Sequence, residues 1–82
     1  MDEGKLRQLR WRCRRGMKEV ELVLIPFFDN VFKELNEVEQ RQFEVLLECP
    51  DPDLLAWLSH KGQPEEPELQ QILQIIFSSM KQ

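Results

Sequence analysis

The residues best suited to chemistry lie in one short stretch, CRRGMKE, at positions 13 to 19. Arg15 and Glu19 offer a guanidinium and a carboxylate, two groups that form charge-assisted hydrogen bonds. Gly16 lies between them and would let another backbone approach closely, because it has no side chain. These groups are suited to binding and orienting a partner rather than to attacking a substrate.

The same stretch also has a purely structural interpretation, as the corner between two helices. Gly16 then follows the first helix with a positive φ, which glycine adopts without steric cost. Arg14 and Arg15 suit the negative end of that helix, and Glu19 suits the positive start of the next. An exposed Arg15–Glu19 ion pair across the corner would contribute only about 0–1 kcal/mol. Local chemistry alone favours this structural interpretation.

Trp11 is the second unusual feature near the corner. At 100° per residue, a helix that buries Leu6, Leu9 and Cys13 projects Trp11 to the opposite, outer side. The arginines that flank it on that side are Arg7, Arg14 and Arg15. Two interpretations have equal weight. Trp11 packs against another helix with arginines stacked on its ring, or it is exposed and binds a partner.

Candidates for catalysis or metal binding are weak elsewhere in the chain. His60 is the only histidine, and its position at the end of a predicted helix favours a structural role. Cys13 and Cys49 lack metal-site spacing and are expected to be reduced and half-buried. Asp51 and Asp53 flank a proline in a pattern typical of a helix start. We therefore predict no catalytic residue, no metal site and no enzymatic activity.

The elements that must position these residues are helices, and the sequence predicts an all-α fold. Hydrophobic residues make up 41% and charged residues 32% of the 82 residues, which is typical of a soluble globular domain. We expect a compact bundle of about five helices in one small domain, residues 1–82. The predicted helices cover about 3–14 and 17–35, a third from Asn36 to before Pro50, a fourth from Asp51 to before Gly62, and a fifth from near Pro67.

Local signals refine three of these helices. Asn36 and Glu39 have the spacing of a capping box at the start of the third helix. Asp51 is predicted as the N-cap of the fourth helix, with Pro52 at its first helical position. Pro26 is expected to kink or interrupt the second helix, because it lacks a backbone donor.

Charge is divided between a basic head and an acidic body. Residues 1–15 contain six of the eleven Lys and Arg residues and two acids, for a net charge of +4, whereas residues 16–82 carry −8. Such polarity can orient a partner or attract a phosphate. A membrane-spanning helix needs about 20 apolar residues, and every apolar run in this sequence is much shorter. The sequence also shows no signal-peptide pattern. We expect a complete, cytoplasmic chain without membrane insertion.

The corner and a second segment together resemble a known family. Arg15-Gly16-x-x-Glu19, preceded by WRC and followed by PFF, is similar to the RGxxE signature of the succinate dehydrogenase assembly factors. The segment LLECPDPDLLAWL, residues 46–58, resembles the acidic DPDL…WL segment of that family. The resemblance covers about residues 6 to 77. Two such segments at this spacing in a short helical chain are far more specific than RGxxE alone.

The resemblance implies an assembly factor. Members bind the flavoprotein subunit of succinate dehydrogenase, and in bacteria that of fumarate reductase, and promote covalent attachment of FAD to a histidine of the subunit. The family's key residues carry over as Arg15, Gly16 and Glu19, and we expect Trp11 and Arg14 to extend this partner-binding surface. We expect a monomer with no tightly bound cofactor, and at most a transient contact with the partner's FAD.

Two alternative functions remain open at this point. The same patch would suit a different protein partner in an antitoxin-like interaction module, a role also described for the family. A small nucleic-acid-binding protein using the basic first helix is less favoured. The acidic body and the lack of a recognition-helix pattern count against it, so we expect no nucleic-acid partner.

Overall fold

The computed structural model describes residues 2–80, which form five α-helices joined by short connections. The helices are α1 (Glu3–Arg12), α2 (Lys18–Asn30), α3 (Glu37–Leu47), α4 (Asp51–Leu58) and α5 (Pro67–Met80). A 3₁₀ turn at Phe32–Glu34 follows α2. Residues 2–80 contain no strand, and the predicted all-α bundle is confirmed. None of the helices in this range is long and apolar enough to cross a bilayer.

The starts of α3 and α4 test the capping predictions. The predicted capping box is confirmed, because Asn36 Oδ1 accepts from Glu39 N at 2.8 Å and Glu39 Oε1 accepts from Asn36 N at 3.1 Å. Asp51, however, is the first helical residue of α4, and Pro50 is its N-cap. The prediction of Asp51 as N-cap is therefore wrong, and Pro52 moves to the second helical position. The Asp51 carboxylate is instead bonded to the side chain of Arg15, 36 positions earlier in the chain.

The second predicted helix is shorter than expected but is not broken at its proline. α2 continues through Pro26 and ends at Asn30. Leu22, whose carbonyl would accept from residue 26, is 65% exposed, so this carbonyl lies on the solvent side of the helix. Beyond α2 the chain tightens into the 3₁₀ turn, which buries Phe32. The predicted end of the helix at residue 35 was thus about one turn too late.

The core is centred on four phenylalanines. Phe43 of α3 lies 5.4 Å from Phe27, 6.2 Å from Phe28 and 5.5 Å from Phe32, measured between ring centroids. α3 also packs along α5, and α2 packs on α1 and α4. The buried side chains that α5 contributes are Leu69, Ile72, Leu73 and Ile76. Apolar side chains at spacings of three and four residues on α2, α3 and α5 therefore meet in one core. Met80, which continues this spacing at the end of α5, is the exception and is 58% exposed.

The end of α4 is closed by His60 rather than by the predicted glycine. His60 has a φ of 61°, and the next residue, Lys61, donates its backbone N–H to Ala56 O at 2.8 Å. His60 N donates to Trp57 O at 3.1 Å, which completes a Schellman motif. The His60 ring packs on Phe77 with a centroid distance of 4.5 Å. Gly62 does not have a positive φ, so its predicted role at this helix end is wrong.

The position of Phe43 gives a direct test of the core. Phe43→Ala should lower the free energy of unfolding by about 3–5 kcal/mol, because it removes the ring on which the other three pack. Val38→Ala on the same helix is the matched control. Val38 is 66% exposed, and its loss should change stability by less than about 0.5 kcal/mol. Urea unfolding followed by circular dichroism measures both, and equal losses would contradict this assignment of the core.

Candidate partner-binding site

The connection between α1 and α2 is held from both sides by buried residues. We call residues 11–19 the docking corner, because they contain all five residues predicted to bind a partner. Leu9 and Cys13 are fully buried at the end of α1, and Val20 is fully buried at the start of α2. These three side chains fix which face of the docking corner points inward. Between Cys13 and Val20, Met17 packs partly buried against the core, and the other residues face the solvent or bridge to other helices.

Arg15 bridges to other helices instead of facing solvent. Its Nε donates to Asp51 Oδ1 at 2.7 Å, and its Nη2 donates to Cys49 O at 2.7 Å. Its Nη1 donates to Leu47 O at 2.6 Å and to Arg12 O at 3.2 Å. Four of the five N–H groups of the guanidinium are thus used within the protein.

The physical reason for this arrangement is the meeting of three helix ends. Arg12 and Leu47 are the last residues of α1 and α3, where carbonyl groups lack partners within the helix. A cation is favourable beside such carbonyl ends, and the Asp51 carboxylate is favourable at the start of α4. The side chains of Arg15 and Asp51 are only 16% and 25% exposed. Charged hydrogen bonds are stronger in such a partly buried place than on an open surface.

Two expectations about Arg15 are therefore wrong. Its side chain does not lie on the outer side with Trp11, and its ion-pair partner is Asp51 rather than Glu19. Helix-dipole reasoning correctly placed a cation near the end of α1, since Arg15 donates to Arg12 O. It could not identify the acceptors near residues 47–51, because these lie more than thirty positions away in the chain.

Gly16 is exposed and is not needed by the fold. A Cβ placed on Gly16 would meet no atom within 4 Å, and its φ is not positive. The predicted helix-ending role of this glycine is therefore wrong. Cys13 ends α1 in an ordinary right-handed conformation with a φ of −74°. What distinguishes Gly16 is the absence of a side chain at an open point of the surface.

Trp11 is exposed, so the interpretation in which it packs against another helix is wrong. The indole is 69% exposed, and the Cζ atom of Arg14 lies 5.9 Å from the ring centroid. Arg14 stacks on the tryptophan as a cation–π pair, but no other helix covers the ring. Glu19 is also exposed, in the first turn of α2. Of the five residues predicted to bind a partner, Trp11, Arg14, Gly16 and Glu19 therefore face outward, while Arg15 is directed inward.

Half of the basic head is already compensated within the protein. The ion pairs are Lys5–Glu44 at 3.1 Å, Arg10–Asp29 at 2.8 Å and Arg15–Asp51 at 2.7 Å. The hydrogen bond from Arg10 lowers the pKa of the Asp29 carboxyl and raises the pKa of the guanidinium itself. Fewer cations than the sequence suggests are therefore free to contact phosphates, which counts against a nucleic-acid partner.

The two cysteines of this region are free thiols in different environments. Cys13 is fully buried, and burial raises its pKa to about 12. Cys49 is half-buried, and its pKa is raised mainly by burial, with a further contribution from Glu66. Neither thiol has the lowered pKa of a reactive nucleophile. In residues 2–80, no group of three or more His, Cys, Asp and Glu side chains is arranged to hold a metal ion.

The comparisons with known proteins agree with one another on the family of this chain. The family described as flavinator of succinate dehydrogenase, Sdh5, matches residues 7–79. A protein of Yersinia pestis named FAD assembly factor SdhE is 42% identical over 74 residues, which are 90% of this chain and 84% of that protein. The Pseudomonas aeruginosa protein of the same name is 36% identical over 80 residues, 98% of this chain and 95% of that one.

A solved structure agrees with the fold. The solution structure of a UPF0350 protein superposes with a TM-score of 0.76 at 39% sequence identity. The match covers 96% of this chain and 85% of the other. The five-helix arrangement that forms the docking corner is therefore shared with a protein of similar sequence.

The unequal burial of the two thiols predicts unequal alkylation. At pH 8 a thiol with a pKa near 12 is ionised in only about one molecule in ten thousand, so iodoacetamide should modify Cys49 well before Cys13. Mass spectrometry after timed labelling measures the two rates, and both thiols should react quickly in urea. If Cys13 reacts as fast as Cys49 in the folded protein, the docking corner opens more often than its packing implies.

Proposed function

The chain belongs to the family of flavinators of succinate dehydrogenase and is an FAD assembly factor; we propose that it works by docking residues 11–19 on the flavoprotein subunit. The partner in this proposal is the flavoprotein subunit of succinate dehydrogenase or of fumarate reductase. The protein acts as a cytoplasmic monomer, and it touches the partner's FAD no more than transiently.

The open space around Gly16 is the observation that carries this proposal. The fold itself would accept a side chain there, since nothing lies within 4 Å of a Cβ. A bare backbone at an exposed point lets a partner approach the main chain directly. Folding therefore supplies no reason for a glycine at this position, whereas close contact with a partner does.

Trp11 and Glu19 supply the remaining contacts of the proposed interface. An exposed tryptophan is a large and rigid anchor of the kind that dominates binding energy at protein interfaces. Arg14, stacked on the ring, adds charge beside it. Glu19 offers a carboxylate that gains strength once the interface excludes water. Together these groups can orient one protein on another without any chemical step of their own.

The proposed mechanism leaves the bond formation to the flavoprotein and its flavin. By binding one conformation of the subunit more tightly, the factor increases the population in which the attacking histidine and the flavin ring are aligned. Alignment of two reacting groups alone lowers a barrier substantially. No residue of the assembly factor is assigned a catalytic role in this proposal.

Substitution of Gly16 tests the docking surface directly. Gly16→Arg should leave the free energy of unfolding within about 0.5 kcal/mol of the wild type, because the side chain enters open space. Its affinity for the purified apo-flavoprotein should fall at least about 100-fold, equivalent to about 2.8 kcal/mol. Calorimetry measures the affinity, and flavin fluorescence of the subunit in denaturing gels measures covalent attachment.

Gly62→Arg is the matched control for this experiment. Gly62 is also exposed, has no positive φ and would also place its Cβ in open space, but it lies beyond α4. It should bind and flavinylate like the wild type. The docking proposal is wrong if Gly16→Arg does so as well.

Trp11 should be an energetic anchor of the same interface. Trp11→Ala should barely change stability, since the ring is 69% exposed, but should weaken binding by about 2 kcal/mol or roughly 30-fold. Leu22→Ala is the control, because Leu22 is 65% exposed but lies outside the docking corner. Similar affinities for the two variants, measured by the same titration, would remove Trp11 from the interface.

A further inference from the structure

We infer that Arg15 and Asp51 form a positioning pair that holds the docking corner in its binding conformation from inside the protein. This inference rests on the proposed function and adds Asp51 to the residues on which binding depends. It also changes the role of Arg15 from a contact residue to a positioning residue. The observation behind it is the set of four hydrogen bonds that the Arg15 guanidinium makes with residues 12, 47, 49 and 51.

Arg15 has few free hydrogen-bond donors left for a partner. A guanidinium has five N–H donors, and four are used internally. The side chain is only 16% exposed, and Asp51 beside it is 25% exposed. A partner could reach at most one remaining donor, whereas withdrawing the side chain would leave three carbonyl oxygens and a carboxylate without their cation.

The Arg15–Asp51 pair differs from an ordinary surface ion pair. Arg10–Asp29 also joins an arginine to an aspartate, with hydrogen bonds of 2.8 and 3.0 Å. Its side chains, however, are 48% and 41% exposed, and it links only α1 and α2. The Arg15–Asp51 pair reaches instead from the docking corner to the end of α3 and the start of α4. It therefore fixes the corner relative to the main body of the bundle.

Gly16 and Glu19 are the residues that this anchor positions. Gly16 directly follows Arg15, and Glu19 directly precedes Val20, which is fully buried. Gly16 and Glu19, both exposed, are thus held between one anchor at Arg15 and another at Val20, and Met17 between them packs partly buried against the core. If the first anchor is released, the orientation of Gly16 and Glu19 is no longer set by the bundle. The pair also joins the two segments on which the family resemblance rests, residues 15–19 and 46–58, into one physical unit.

Removal of the Asp51 carboxylate tests the inference, with Asp29→Ala as the matched control. Asp51→Ala should remain folded at low temperature but bind the apo-flavoprotein roughly tenfold more weakly than the wild type. Asp51→Asn keeps an acceptor oxygen in place and should recover part of this affinity. Asp29→Ala removes the more exposed pair and should bind like the wild type.

The decisive measurement is the amide spectrum of the free protein, recorded by ¹⁵N–¹H NMR. In Asp51→Ala the Gly16 and Glu19 amide signals should shift or broaden, while the signal of Ile72 in the α5 core stays in place. Asp29→Ala should leave the Gly16 and Glu19 signals unchanged. A general loss of stability that left the docking corner in place would not shift the Gly16 and Glu19 signals alone in fully folded protein.

Three outcomes would overturn the inference. The first is wild-type affinity in folded Asp51→Ala, and the second is weakened binding with unmoved Gly16 and Glu19 signals, which would make Asp51 a direct contact. The third is equal effects of Asp51→Ala and Asp29→Ala. Failure of the proposed function is distinguishable, because the wild-type protein would then not bind the flavoprotein at all. In that case the amide signals alone decide whether the pair holds the corner.

Discussion

The arrangement of the helices around the docking corner depends on the guanidinium of Arg15. Three helix ends meet at this place, and two of them present carbonyl oxygens that no backbone N–H within the same helix can satisfy. Each such oxygen left without a donor in a partly buried place would cost about 1–3 kcal/mol. A planar fork of five donors can serve several acceptors at once, which the single ammonium of a lysine could not do with the same geometry.

Because Arg15 provides this internal support, its neighbours are free to face outward. Gly16 and Glu19 lie close to Arg15 in the chain, but both are exposed and neither bridges to other helices as Arg15 does. The Trp11 indole is likewise uncovered, with Arg14 stacked beside it. One short stretch of sequence thus contains both a residue that bonds to the interior, Arg15, and residues that form an exposed surface. The stability of the bundle and the shape of the surface are linked through a single side chain.

Local sequence rules predicted the features that depend on near neighbours. The five helices, the Asn36 capping box and the inward faces of α2, α3 and α5 all follow from spacings of three or four residues. The outward position of Trp11 followed from the same helical periodicity. The two segments on which the family resemblance rests, residues 15–19 and 46–58, come together where α1, α3 and α4 meet.

The features that were missed depend on distant or tertiary contacts. Asp51 was assigned to a helix start, as local chemistry suggests, but Arg15 reaches it across 36 positions in the chain. Gly16 was assigned a positive φ that its backbone does not adopt, since Cys13 ends α1 without it. His60 has the left-handed conformation expected of Gly62, and its ring packs on Phe77 of α5, which no pattern within α4 reveals.

The inward direction of Arg15 has a consequence for how the sequence can change over generations. Arg15 and Asp51 bond to each other inside the protein, so a change at either position removes a contact of the fold, whatever partner the protein binds. No contact inside the protein restricts the side chain at position 16. Natural selection that retains glycine at position 16 must therefore act through contact with another molecule. Descendants that lose their partner would therefore be free to vary at position 16 while retaining the arginine and the aspartate.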